Sequence, residues 1–315
     1  MRRVALLFVL TAIGLSSSTG SADDGITFVR DQDVIYGRKY GTALTMDVFR
    51  PKSRVNGAAV VLVVSGGFFS SHEAVSPVFA RPLVDRGYTV FAVVHGSQPR
   101  YTVPEIVDDM NRAIRFIRHH ARDYGIDGDR IGVSGASAGG HLSLMLATAG
   151  ASGDPNAKDP VDRESSRVQA VACFFPPTDF LNFGAPGKEL IHATDHNKPF
   201  RPAFDYRELD KESNLWVPVT DPARLREITR KISPISHVTA DDPPTLIVHG
   251  DADNLVPLQQ SETLVEKLKG AGVEAKLVVK PGAGHGWLTM VQDMNVLGDW
   301  FDAHLKKRDG PSDGK

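Results

Sequence analysis

Ile131-Gly132-Val133-Ser134-Gly135-Ala136-Ser137-Ala138-Gly139-Gly140 runs without a break into His141-Leu142-Ser143-Leu144-Met145-Leu146-Ala147. The opening residues carry an aliphatic strand signal and the closing ones a helical signal, so the chain must turn from strand to helix within G-A-S-A-G. A turn that sharp leaves no room for side chains beside its apex, which accounts for the small residues at positions 135, 136, 138 and 139. Ser137 at the apex would hold its hydroxyl at the start of a helix, where open N–H groups and the helix dipole favour developing negative charge. Ser134 falls on the strand end and Ser143 within the helix, so neither is placed like Ser137.

Working outward, short aliphatic runs recur at residues 58–64, 89–94, 130–134, 168–175, 245–249 and 275–279. Helical patterns lie between several of them, at 78–86, 106–124 and 258–271. In the second of these, Ile106, Met110, Ala113, Ile114, Ile117 and Ala121 recur at three- and four-residue steps, as an amphipathic helix packed on a sheet requires. Strand-helix alternation predicts an α/β protein with a doubly wound, mostly parallel sheet. Its ligand site belongs beyond the carboxyl ends of the strands. Residues 33–36 and 44–49, separated by Gly-Arg-Lys-Tyr-Gly, predict an antiparallel start.

One stretch breaks the alternation. Residues 183–236 are rich in Pro, Asp, Lys and Arg, and no strand is expected there. Short helices are expected at 188–192 and 223–232, giving an irregular, lid-like insertion rather than a second domain. Its aromatic residues Phe200, Phe204, Tyr206 and Trp216 either stack on a ligand ring or pin the insertion down. The expected organisation is a leader over 1–22, one domain over 23–308 and a disordered polar tail over 309–315.

The leader follows from Met1-Arg2-Arg3, an apolar run over 4–15 and a small-residue stretch ending Gly20-Ser21-Ala22. That is the layout of a secretory signal peptide, and the run is too short to be a comfortable membrane anchor. A secreted or periplasmic product is expected. Its single cysteine, Cys173, sits in an apolar strand and reads as a core residue, so no internal disulfide supports the fold. The formal net charge of -2, without a long block of like charge, gives nucleic-acid binding no electrostatic support. No Cys/His cluster has zinc-site spacing, and no metal or cofactor is implied.

A serine hydroxyl is a poor nucleophile unless a base takes its proton, and the base needs an orienting acid. After an elbow serine the chain order is acid, then histidine. Residues 245–249 form a strand followed by Gly250-Asp251-Ala252-Asp253-Asn254-Leu255-Val256-Pro257, which offers Asp251 or Asp253. The next strand is followed by Pro281-Gly282-Ala283-Gly284-His285-Gly286-Trp287, which offers His285. Both loops stand at carboxyl ends of strands. Among the other histidines, His249 reads as a support for the acid turn, His141 as a structural partner, and His119 and His120 as a polar helix end. His95, at a strand end, stays open as a pocket residue.

These three segments resemble the α/β-hydrolase superfamily, in particular its esterase-lipase branch of bacterial carboxylesterases and feruloyl and acetylxylan esterases, related to prolyl-oligopeptidase-type peptidases. The likeness runs from about residue 33 to 305 and is weakest across 183–236. In that branch the acid stands at the Asp of H-G-x-x-D-x-x-V-P, which here is Asp253, leaving Asp251 to brace the turn. The resemblance implies a serine hydrolase cleaving carboxylic esters of small molecules or polysaccharides, with Ser137 as nucleophile, His285 as base and Asp253 as acid. Short-chain, acetyl and feruloyl esters are the expected substrates. A peptidase or lactonase using the same triad, and a non-catalytic binding protein on this fold, are the alternatives.

The same resemblance implies an oxyanion hole from the backbone N–H of Ala138 and from Gly67 or Phe68, in the loop Val64-Ser65-Gly66-Gly67-Phe68-Phe69-Ser70. Family members carry His-Gly-Gly there. Ser65 replaces the histidine, which bears on how the loop is braced and not on the backbone donors themselves. Phe68 and Phe69 either wall an acyl pocket or pack the loop.

Overall fold

The computed structural model describes residues 28–190 and 200–306. The leader expected over 1–22 and the tail expected over 309–315 lie outside the described residues.

Strands β1 (Phe28–Lys39) and β2 (Thr42–Pro51) form an antiparallel hairpin. Its turn residues Tyr40 and Gly41 both take positive φ, 46° and 76°, the geometry whose twist matches that of the paired strands. Winding then begins with β3 (Ala59–Val64), α1 (Pro77–Val84), β4 (Thr89–Val94), α2 (Val103–His119), β5 (Ile131–Gly135), α3 (Ala138–Ala149) and β6 (Ala170–Phe174). The insertion carries β7 (Arg207–Asp210), β8 (Leu215–Pro218) and α4 (Pro222–Lys231). The chain closes with β9 (Thr245–Gly250), α5 (Gln259–Gly270), β10 (Ala275–Lys280) and α6 (Met290–Leu305).

The main sheet has the order β1-β2-β4-β3-β5-β6-β9-β10. β2 runs antiparallel to both neighbours and the remaining pairings are parallel. Parallel strands must be covered on both faces, and β3 shows how the sequence provides for it. Ala59, Val61 and Val63 point into one core with α2, α3 and α5, while Val60 points into the other with α1 and α6. Each fully buried aliphatic side chain of this kind stabilises the fold by about 1.5–3 kcal/mol. Cys173 is fully buried within β6, and burial pushes its thiol pKa far up.

The helix expected over 106–124 ends at His119. Residues 120–125 curl into a turn closed by Gly125 at φ 66°, and the Ile126 N–H donates to the Ala121 carbonyl at 2.9 Å. Ala121 is thus buried by a turn and not by a further helical step. In the insertion, β7 and β8 pair where no strand was expected. Their turn is built by Asp210, whose Oδ1 accepts the Glu212 and Ser213 N–H groups, and by Asn214 at φ 55°. Both strands are largely exposed, so no run of buried aliphatics marks them. Lys188, Glu189 and Leu190 are not helical, and the rest of that expected helix lies outside the described residues. Among the described residues no helix is long and apolar enough to cross a membrane.

Candidate active site

β5 delivers the chain to Ser137, which takes φ 55° and ψ −119° as the residue before α3. Such a conformation costs a non-glycine residue about 1–3 kcal/mol and persists only when its surroundings hold it. They do so here. The Ser137 N–H donates to the Phe174 carbonyl at 3.0 Å, and Ala136 bridges to Phe174 at the end of β6. A Cβ at Gly135 would lie 2.4 Å from the Gly139 carbonyl carbon, and one at Gly139 would lie 2.8 Å from the Val63 oxygen. The two glycines are therefore required by close backbone approach. Ser134 is buried within β5, and the Ser143 hydroxyl donates to the Gly139 carbonyl.

The loops after β9 and β10 bring the expected partners to the same sheet edge. Ser137 Oγ lies 2.9 Å from His285 Nε2, and His285 Nδ1 lies 2.7 Å from Asp253 Oδ2. Asp253 Oδ1 accepts the N–H groups of Leu255 and Val256 at 2.8 and 2.9 Å. Burial alone would raise the Asp253 pKa, but hydrogen bonds from His249 and His285, with the Val256 N–H, outweigh it and hold the carboxyl well below its usual range. Asp251 is exposed and turned away from the histidine, its Oδ1 accepting the Gly282 N–H at 2.6 Å. Phe175, which the sequence reading did not single out, packs at a tilt of 56° against the His285 ring with centroids 4.5 Å apart. Its signal was the position just past the carboxyl end of β6.

Gly66 and Phe69 exchange both backbone hydrogen bonds, at 3.0 and 2.9 Å, closing a two-residue turn over Gly67 and Phe68. Both central residues have positive φ, 55° and 66°. The N–H groups of Gly67 and Phe68 have no partner among the described residues. Ala138 opens α3, so its N–H is one of the helix's open donors. These groups border, with Ser137, a cavity of about 60 Å³. Phe180, Phe200 and Phe204 line its apolar side. The Phe68 ring is buried edge-on against His141 and Phe204, so it both packs the turn and borders this cavity. Phe69 is half-exposed and lines a larger cavity of about 280 Å³ on the far side of the elbow, where Ala136, Met290 and Met294 contribute and Ser137 does not.

The other histidines singled out in the sequence have structural surroundings. His249 is fully buried, its Nδ1 2.6 Å from Ser261 Oγ and its Nε2 2.9 Å from the Val256 carbonyl. His95 does not line the cavity beside Ser137. It is buried against the Gly96 carbonyl, and burial pushes its pKa down to about 4. His141, under Phe68 and Phe180, is pushed to about 4 by the same cause. His119 and His120 are partly exposed and face Glu164 and Asp123. In the insertion, Phe204 and Tyr206 are buried while Trp216 is exposed on β8. Among the described residues one group could hold a metal, Asp33, Asp47 and His72, and the buried Asp47 is already paired with Arg30 at 2.5 Å. It shares no residue with the Ser137 cluster.

A family model described as BD-FAE matches residues 46–268, from β2 to the last turns of α5. The chain belongs to the BD-FAE family. The BD-FAE region thus contains Ser137 and Asp253, while His285 follows it. The probable carboxylic ester hydrolase LipM of Mycobacterium tuberculosis is 30% identical over 247 residues, covering 77% of this chain and 52% of LipM. Esterase LipQ of the same organism is 28% identical over 261 residues, covering 81% of this chain and 56% of LipQ. The chain spans little more than half the length of these curated relatives. Solved structures match over more of their length. A truncated carbohydrate esterase from gut microbiota is 27% identical with a TM-score of 0.72, covering 89% of this chain and 97% of that one. The butyrate-bound esterase Est2 of Thermogutta terrifontis is 26% identical with a TM-score of 0.66, covering 88% and 96%. With the single antiparallel strand β2 and the elbow after β5, this BD-FAE chain has the α/β-hydrolase fold.

Proposed function

We propose that the protein is an exported serine esterase that hydrolyses short-chain carboxylic esters, acetyl and feruloyl esters of saccharides among them. The observation that carries this reading is the unbroken path from Ser137 Oγ through His285 to Asp253, opening on apolar space beside unpartnered N–H groups. Ser137 Oγ attacks the ester carbonyl while His285 Nε2 takes its proton, and Asp253 stabilises the imidazolium through Nδ1. The carbonyl oxygen gains charge and is held by the N–H of Ala138 with those of Gly67 and Phe68. Collapse expels the alcohol, protonated by His285, and leaves an acyl-enzyme on Ser137. His285 then activates water to release the acid.

The small volume beside Ser137 supports a short acyl group. The two esterase structures that share this fold at 27% and 26% identity support ester cleavage over other acyl chemistry. The leader pattern over 1–22 supports export. Kinetics on acetyl, butyryl, octanoyl and feruloyl esters test the reading. Turnover greatest on the short or feruloyl esters and lost in Ser137→Ala is expected, and full turnover in Ser137→Ala would refute it.

A further inference from the structure

The turn that offers the Gly67 and Phe68 N–H groups is packed by aromatic rings, but its carbonyls are held by hydrogen bonds from one loop. Ser65, which opens it, contributes nothing, because its Oγ is buried without a hydrogen-bond partner. The support comes from residues 95–99, the loop after β4. Ser70 N–H donates to Ser97 Oγ at 3.1 Å, and His95 N–H donates to Ser70 Oγ at 3.2 Å. Next to them Gln98, 3% exposed, reaches the turn itself. Gln98 Nε2 donates to the Gly67 carbonyl, and Gln98 N–H donates to the Phe68 carbonyl at 3.1 Å.

This contact has a directional consequence. The C=O and N–H of one trans peptide unit point in opposite directions. Gly67 C=O and Phe68 N–H belong to the same unit. Holding that carbonyl against Gln98 turns the Phe68 N–H the other way, and Gly67 and Phe68 border the cavity that Ser137 enters. The preceding unit is fixed alike, since the Gly66 carbonyl accepts the Phe69 N–H. The turn needs such a hold. Phe68 at φ 66° is a bulky residue in the left-handed region, which costs roughly 1–2 kcal/mol. Rotation of the Gly67-Phe68 peptide would relieve that and aim a carbonyl oxygen at the site meant for an oxyanion.

The amide of Gln98 has no other evident purpose. Its Oε1 is buried without a partner, so the side chain is kept buried with only one of its polar atoms satisfied. We propose that Gln98 is the positioning residue of the oxyanion turn, holding the Gly67-Phe68 peptide so that its N–H faces the substrate carbonyl. This inference rests on the esterase reading above.

The test is Gln98→Met, which keeps length and removes the donor, beside Gln98→Glu, which places an acceptor against the Gly67 carbonyl. Measurements are kcat and KM on p-nitrophenyl acetate, normalised to active sites titrated at Ser137, with melting temperature as control. The expected result is a fall in kcat on the order of 10²-fold in both variants with KM nearly unchanged, the size of losing one oxyanion donor. Wild-type kcat per titrated site in both variants would overturn the inference, as would a loss accounted for entirely by unfolded protein. Ser137→Ala run alongside separates the two levels. If it is inactive while Gln98→Met is unimpaired, only the role of Gln98 fails, whereas an active Ser137→Ala removes the esterase reading itself.

Discussion

His249 Nε2 stands 3.3 Å from Asp253 Oδ2, the same oxygen that takes His285 Nδ1 at 2.7 Å. Because His249 Nε2 also faces the Val256 carbonyl, an acceptor only, it must carry a proton, while Nδ1 lies 2.6 Å from Ser261 Oγ. His249 thus adds a donor to the acid from beneath. The carboxylate is held ionised by two imidazoles and two backbone N–H groups, and it can only accept from His285.

Asp253→Asn should therefore lower kcat by about 10⁴-fold with the fold intact, since an amide can present its N–H to His285 and impose the wrong tautomer. Asp251→Asn, which keeps an acceptor for the Gly282 N–H, should leave turnover close to wild type. Steady-state kinetics of the two variants, with circular dichroism as control, decide between the two aspartates. Equal losses would contradict the assignment.

Stability should fall as the medium is acidified from about pH 6.5 to 4. His95 and His141 are pushed to about 4 by burial, whereas an unfolded histidine titrates near 6.5. In that window the unfolded chain binds protons that the folded chain does not, so acid favours unfolding, and above pH 6.5 the full stability is present. Each residue is worth a few kcal/mol across the window. Urea unfolding at pH 7 and pH 4.5 measures the slope, and His141→Phe should flatten it. An unchanged slope in that variant would show that His141 is not held neutral.

Phe200 should set the acyl-length limit. A Cβ on Gly67 would lie 2.2 Å from the Phe200 ring, which places that ring directly on the oxyanion turn. Phe200→Ala should raise kcat/KM for octanoyl relative to acetyl esters by on the order of tenfold, the scale of a hydrophobic pocket change. An unaltered ratio would mean that acyl chains leave by another route.

Export should remove the leader. N-terminal sequencing of protein recovered outside the cytoplasm should begin at Asp23, and a retained Met1 would contradict the leader reading.

Much of this was legible in the sequence because backbone sterics wrote it there. At Gly135 an added Cβ would lie 2.4 Å from the Gly139 carbonyl carbon, so only glycine fits that position. The inner strands β3, β4, β5, β6 and β9 were legible because burial on both faces demands unbroken aliphatic runs. β7 and β8 were not, since both are largely exposed and their pairing depends on turn chemistry at Asp210 and Asn214. Asp253 could be told from Asp251 only by family pattern, because which carboxylate faces His285 depends on the path of two loops. Gln98 was hidden for a similar reason. It is 31 residues from the carbonyl it holds, and no local pattern links them.

The most direct measurement is covalent labelling of the intact protein by an organophosphonate ester, with the adduct located by peptide mass mapping. One adduct per molecule on Ser137, abolished in Ser137→Ala and strongly slowed in His285→Ala, is the expected result. Labelling at Ser134, Ser143 or elsewhere, or continued labelling in Ser137→Ala, would contradict Ser137 as the nucleophile.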